Sequence, residues 1–186
     1  MTGNLMSADN LFLKDVAAMR SRTQDYLAGG RKAANGGMNS AAAIGLLQAA
    51  LAIEIVCVWR YTMMSVSVTG LRDEPVGAEF QEQANDERRH VRMVAERIGQ
   101  LGGTPDFAPK GLRSHLAMDY GSDTDLDGMI AQNLAAEQSV VEYYRDLILY
   151  FRDSDPVTST MLERILQDEE DHATDMDDLV RRDGTH

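Results

Sequence analysis

Two short stretches hold side chains whose types and spacing suit metal chemistry. Asp86 to Met93 reads DERRHVRM and Asp168 to His172 reads DEEDH, so Glu87 stands three residues before His90 and Glu169 three before His172. On a helix that spacing puts a carboxylate and an imidazole on one face, about a turn apart. Carboxylate oxygen and imidazole nitrogen together are donors that first-row divalent ions accept. The other two histidines, His115 and His186, have Leu112 and Asp183 at that position and no glutamate.

Elements must exist to hold these groups, and the composition says which kind. In 186 residues there are only 4 prolines and few β-branched runs, while Ala, Leu, Met, Glu, Gln and Arg dominate; such a chain favours helices. An all-α protein is expected. A first amphipathic helix spans about Ala8 to Ala28 and stops at Gly29 and Gly30. A Gly- and Asn-rich loop, GRKAANGGMNS, leads to Ser40 as the expected N-cap of helix A, which runs to about Gly70. Helix B covers Glu74 to Leu101, helix C Thr124 to Arg152, and helix D begins at Asp155 and Pro156, a cap followed by a first-turn proline. Four helices of about 28 residues, each near 40 Å long, describe an antiparallel up-down bundle. Short A–B and C–D links predict hairpins, and the long link from Gly102 to Asp123, with room for a short helix around Leu112 to Met118, predicts one crossover between B and C. The expected organisation is an arm of residues 1–39, with its own helix and loop, and a bundle of residues 40–186.

Periodicity tells which side chains face inward. Helix A has the stripe Leu47, Ala50, Leu51, Glu54, Val58, Tyr61, and helix B has Phe80, Ala84, Glu87, His90, Val94, Ile98, Leu101. Helix C has Ile130, Leu134, Glu137, Val141, Tyr144, Ile148, and helix D has Leu162, Ile165, Glu169, His172, Met176, Leu179. Each helix therefore points a carboxylate into the core. An ionised carboxylate buried without a partner costs several kcal/mol, and no Lys or Arg lies on these stripes to offset it. Two divalent cations would. Asp86 and Arg89 are expected to turn away from the centre. The spacing also repeats: Glu54 and Glu87 are 33 residues apart, Glu137 and Glu169 are 32 apart, and Tyr61 and Tyr144 each follow the first Glu of a pair by seven. The chain reads as two copies of one hairpin, each supplying Glu, then Glu-x-x-His.

Charge and cysteine content limit the classes. The net charge is −12, which disfavours a general affinity for nucleic acid and suits a protein that attracts cations. Residues 1–36 are mildly basic, with Lys14, Arg20, Arg22, Arg31 and Lys32 against Asp9, Asp15 and Asp25. A single cysteine, Cys57, makes no intrachain disulfide and reads as a buried, inert thiol. With no cleavable leader pattern at its start, the chain is expected to be cytoplasmic. Ala41 to Trp59 is apolar enough to resemble a membrane span, but Gln48 and Glu54 interrupt it, so a buried core helix is expected.

The paired Glu-x-x-His motifs and their spacing, over about Ser40 to Val180, resemble the ferritin-like di-iron superfamily, in particular bacterioferritin and the bacterioferritin-like members of the DNA-protecting mini-ferritins (Dps). That resemblance implies a ferritin-like four-helix bundle with an additional N-terminal helix. It implies that Glu54 and His90 hold one metal, Glu137 and His172 a second, and Glu87 and Glu169 bridge the two. Tyr61 matches the tyrosine that follows the first ligand in bacterioferritins, and either a redox role or a core aromatic fits it. Arg88 stands where bacterioferritins have a haem-binding methionine, so haem is not expected. The short tail after His172, the long B-to-C link and the N-terminal arm look more like a twelve-subunit mini-ferritin than a 24-subunit cage.

The implied activity is a ferroxidase: two Fe(II) per subunit are oxidised by O2 or H2O2, and Fe(III) is stored in a homo-oligomeric shell, limiting oxidative damage. Manganese and zinc are the other metals such donors accept. The rivals are di-metal enzymes that need no shell: rubrerythrin-like peroxidases, manganese catalases and di-iron oxygenases. DNA binding through the basic arm would be an accessory function.

Overall fold

The computed structural model describes residues 11–29, 39–68, 74–108 and 126–183. Five helices account for nearly all of them, with no strand among the described residues: α1 (Leu11–Gly29), α2 (Ser40–Ser67), α3 (Glu74–Gln100), α4 (Leu126–Phe151) and α5 (Pro156–Asp183). The expected short helix at Leu112 to Met118 lies outside the described residues, as do Gly70 and the ends of the chain.

Local chemistry sets the helix ends. Helix α2 is capped by Asn39, whose Oδ1 accepts from the Ala42 N–H at 3.2 Å. The cap is thus one residue earlier than the expected Ser40, because the Asn39 amide is placed to reach the third helical N–H. Helix α3 stops in a Schellman arrangement: Gly102 N donates to Gly99 O (3.0 Å) and Gly103 N to Ile98 O (2.9 Å), with Gly102 at φ 84°. The chain leaving α3 is then pinned to α2, since Gln48 Nε2 donates to Thr104 O (2.6 Å) and Gln48 Oε1 accepts from Asp106 N (3.1 Å). At the start of α5 Asp155 caps as expected, accepting from Thr158 N at 3.2 Å. Both of its oxygens also take Arg97 Nη2, at 2.7 and 2.8 Å. Burial pushes the Asp155 carboxyl up, but a hydrogen bond from the Thr158 hydroxyl, those from Arg97 and Thr158 N, and the positive charge of Arg97 outweigh it and hold the group below the usual range.

Helices α2 and α3 pack along their length, as do α4 and α5, so the two hairpins form as expected. Helix α1 lies on α4 and, to a lesser extent, α2. Its Val16 and Thr23 are fully buried, and its Arg20 is tied to Asp146 (2.9 Å) and Glu142 (3.3 Å) of α4. One arm cation is therefore committed to holding the arm on the bundle, while Arg31 and Lys32 lie outside the described residues.

The core joins all five helices, with Leu47, Leu51, Phe80, Ile98, Leu147, Phe151, Leu162 and Ile165 fully buried. Helix α2 is long and apolar enough to cross a membrane. Its inner face nevertheless belongs to this core, and the same face carries buried Glu54. The opposite side of α2 leaves an apolar stripe in solvent, in which Trp59 is 52% exposed and Met63 and Val66 follow at helical spacing.

Candidate metal centre

Four helices bring six predicted ligands to one place. Glu54 from α2, Glu87 and His90 from α3, Glu137 from α4, and Glu169 and His172 from α5 are all buried, the first three completely. They divide into two overlapping sets. Glu54, Glu87, His90 and Glu169 each offer a donor atom within 4.8 Å of the others, and so do Glu87, Glu137, Glu169 and His172. Glu87 and Glu169 belong to both sets, which puts two donor-lined positions side by side.

The imidazoles show which edge faces this centre. His90 Nδ1 lies 3.2 Å from Glu87 Oε2, 3.2 Å from Glu169 Oε1 and 3.4 Å from Glu54 Oε2. His172 Nδ1 lies 3.5 Å from Glu87 Oε1 and 3.9 Å from Glu169 Oε2. The ring centroids are 6.3 Å apart. The outer nitrogens meet aspartates from the opposing helix: His90 Nε2 is 3.0 Å from Asp168 Oδ2 and His172 Nε2 is 3.5 Å from Asp86 Oδ2. Asp86 therefore does not turn away as expected; it is only partly exposed and sits behind a histidine of α5. A carboxylate behind a histidine fixes the ring and makes its inner nitrogen a better donor.

The tyrosines continue the twofold pattern. Tyr61 of the first hairpin donates its hydroxyl to Glu137 of the second, and Tyr144 of the second donates to Glu54 of the first. Both rings are buried, and burial, with the neighbouring glutamate charges, pushes both phenols well above their ordinary range. At position 61 the structure has a core aromatic whose hydroxyl also reaches the centre. Cys57 is buried too, one turn after Glu54, and its thiol is pushed up by burial and then by the charges of Glu87, Glu137, Glu54 and Glu169. It is not one of the clustered donors.

Electrostatics set the cost of this arrangement. Burial, reinforced by neighbouring carboxylates, pushes Glu87 and Glu169 well above the usual carboxyl range. Burial acts in the same direction on Glu54, but the hydrogen bonds and charge of His90, with hydrogen bonds to Glu87 and Tyr144, bring it below that range. For His90 the three surrounding glutamates outweigh the effect of burial and favour the imidazolium. Several buried polar atoms of these side chains still lack a hydrogen-bond partner among the described residues: Glu54 Oε2, Glu87 Oε1, Glu137 Oε2, both Glu169 oxygens and both His172 nitrogens. Buried polar atoms are seldom left this way. A pair of divalent cations would satisfy them, and the oxygen-rich, two-histidine donor set fits such ions.

Two residues important here were missed by sequence reasoning: Asp86 was expected to turn outward, and Asp168 was given no role. Their signal was present: an Asp directly precedes the Glu of each motif, giving Asp-Glu-x-x-His twice. Arg88, at the position associated with haem binding, is exposed and spans from Asn85 Oδ1 (2.6 Å) to Thr62 Oγ1 of α2 (2.9 Å).

A family model described as a ferritin-like domain matches residues 44–184, which contain all six donors. The chain belongs to the ferritin-like family. Among relatives, this ferritin-like protein is 28% identical over 135 residues to a bacterioferritin of Desulfovibrio desulfuricans, covering 70% of each chain. It is 26% identical over 141 residues to a DNA protection during starvation protein of Pyrococcus furiosus, covering 73% of this chain and 75% of the relative. Among solved structures it is similar to a dodecameric thioferritin, the bacterioferritin-related protein of Bacteroides fragilis. There the TM-score is 0.73 at 28% identity, over 81% of this chain and 90% of the other. A mutant of Mycobacterium smegmatis Dps1 shares the fold with a TM-score of 0.69 at 21% identity, over 76% and 96% of the two chains.

Proposed function

We propose that this ferritin-like protein is a ferroxidase that takes Fe(II) as substrate at an intrasubunit di-iron centre and stores the Fe(III) product in a homo-oligomeric shell. The observation that supports this most is the pair of donor sets sharing Glu87 and Glu169. In this reading Glu54 and His90 hold one ion, Glu137 and His172 the other, and Glu87 and Glu169 bridge them. Two Fe(II) held together supply the two electrons that reduce O2 to peroxide, or H2O2 to water.

The chain's own groups prepare that step. Carboxylates can change denticity as the charge on the ions grows, and four of them neutralise two dications while leaving room for oxidant. Tyr61 and Tyr144 orient Glu137 and Glu54 from across the bundle. Asp168 and Asp86 orient the histidines. The apolar stripe of Trp59, Met63 and Val66 gives another subunit a surface to cover, and with a dodecameric relative this favours a twelve-subunit shell over a 24-subunit one. A cytoplasmic setting suits the free Cys57. DNA binding has weaker support, because Arg20 of the arm is already paired with Asp146 and Glu142.

Aerobic iron loading followed by sizing of the same sample tests the storage reading. Iron far in excess of two ions per chain should comigrate, as ferric oxide, with a particle near twelve subunits. A dimer that oxidises Fe(II) but retains none would instead favour the non-storage di-metal enzymes.

A further inference from the structure

The two aspartates behind the histidines share a single cation. Arg89 Nη1 is paired with Asp86 Oδ1, and Arg89 Nη2 lies 3.5 Å from Asp168 Oδ2. The same Asp168 oxygen faces His90 Nε2 at 3.0 Å, while the second oxygen of Asp86 faces His172 Nε2 at 3.5 Å. A line of charged groups therefore runs from His90, hydrogen-bonded to Asp168, through Arg89 to Asp86, which faces His172 Nε2 without bonding it in the metal-free site; it joins α3 to α5 on the outer side of the centre.

We propose that Arg89 is a positioning residue that locks both histidines, through their aspartates, in the orientation needed to bind two metal ions. This rests on the di-metal reading of the centre. The geometry asks for an arginine, since two amino groups on a rigid planar fork can engage carboxylates from different helices at once, whereas a lysine is a single point charge. Without the bridge, Asp86 and Asp168 lose their shared counter-ion, and each is free to rotate away from its histidine. Arg89 is 57% exposed, so its place is at the rim of the bundle and not in its packing.

The sign of the effect separates positioning from simple charge. A cation beside the centre repels incoming metal ions, so removing it would tighten binding if charge were all that mattered. Positioning predicts the opposite. Direct partners of ligating histidines are typically worth about 10–100-fold in metal affinity, and one step further out the loss should be about tenfold.

The test is anaerobic Co(II) titration of the full-length protein by calorimetry, with the visible Co(II) bands recorded in parallel. Wild-type protein should bind two Co(II) per chain. Arg89→Ala should weaken both sites together by about tenfold and broaden the Co(II) bands, and Arg89→Lys should be nearly as defective despite keeping the charge. Asp168→Ala, which cuts the chain at one end, should weaken one site more than the other, and Arg89→Lys decides the matter if Arg89→Ala fails to fold. Affinity that is unchanged or tighter in Arg89→Ala, or wild-type behaviour of Arg89→Lys, overturns the proposal. Failure of wild-type protein to take up two Co(II) would overturn the di-metal reading itself, and the role of Arg89 with it.

Discussion

Replacing Glu169 by Gln should stabilise the metal-free protein while weakening its response to metal. Glu169 is fully buried and lies in both donor sets, whose atoms are within 4.8 Å of one another. Two ionised carboxylates at that separation repel by about 3 kcal/mol with an effective dielectric constant near 20. Because burial and the neighbouring carboxylates already push Glu87 and Glu169 upward, part of that repulsion is avoided by keeping a proton. A net gain of about 1–3 kcal/mol remains for the neutral isostere, or roughly 3–9 °C in Tm for a chain of this size. Metal should reverse the order. At a free metal concentration near 100 times Kd, wild-type protein gains about 2.7 kcal/mol, whereas the variant has lost a bridging anion and gains less. Thermal unfolding followed by circular dichroism, once in chelator and once with excess Zn(II), reads both effects. A variant that melts below wild type in chelator, or that gains as much from Zn(II), would show that Glu169 is not part of a repulsive cation-binding cluster.

Other consequences are as direct. In chelator, wild-type stability should fall as pH rises from about 5 to 8. The raised folded pKa of Glu87 and Glu169 means the native state keeps protons that the unfolded chain releases near pH 4.5, and the stabilising charge of His90 is present below about 6.5 and lost as pH rises through its higher folded value. A flat or rising profile would contradict these shifts. Asp155→Ala should cost about 1–2 kcal/mol by removing the α5 cap and the partner of Arg97. Because the folded pKa of Asp155 is depressed, that contribution is complete above about pH 4 and disappears as pH falls through the folded value; urea titrations of wild type and variant should therefore converge in acid. Tyr61→Phe and Tyr144→Phe should each slow Fe(II) oxidation in stopped-flow absorbance, since Glu137 and Glu54 lose a buried donor. Equal rates in wild type and both variants would remove the tyrosines from the mechanism. Trp59→Glu should shift the particle to smaller species in sedimentation velocity by charging the apolar stripe of α2, and an unchanged sedimentation coefficient would place the subunit contact elsewhere.

What could be seen in the sequence follows from what is periodic. Glu54 among Leu47, Ala50 and Leu51 is an acid on an apolar stripe, and its burial can be read without knowing any partner. The same holds for Glu87, Glu137 and Glu169, and the nearly equal spacing of the two hairpins, 33 and 32 residues, anticipates that their matching turns meet at one level. Cross-helix pairs are a different matter. That Tyr61 donates to Glu137, or that Asp86 stands behind His172, depends on which helix lies opposite at a given turn and on side-chain direction within that turn. A repeated Asp before each Glu hinted at it, but an exposed-looking acid on a polar helix flank has too many ordinary explanations. The α2 cap moved by one residue, from Ser40 to Asn39, because both side chains can cap and only the backbone path decides which one reaches Ala42.

Anaerobic Fe(II) titration of the metal-free protein tests the central claim most directly. The account predicts saturation at two Fe(II) per chain, oxidation of both on adding O2 or H2O2, and loss of paired binding in Glu87→Ala and in Glu169→Ala. Failure to bind Fe(II), or stoichiometric binding that survives both substitutions, would contradict it.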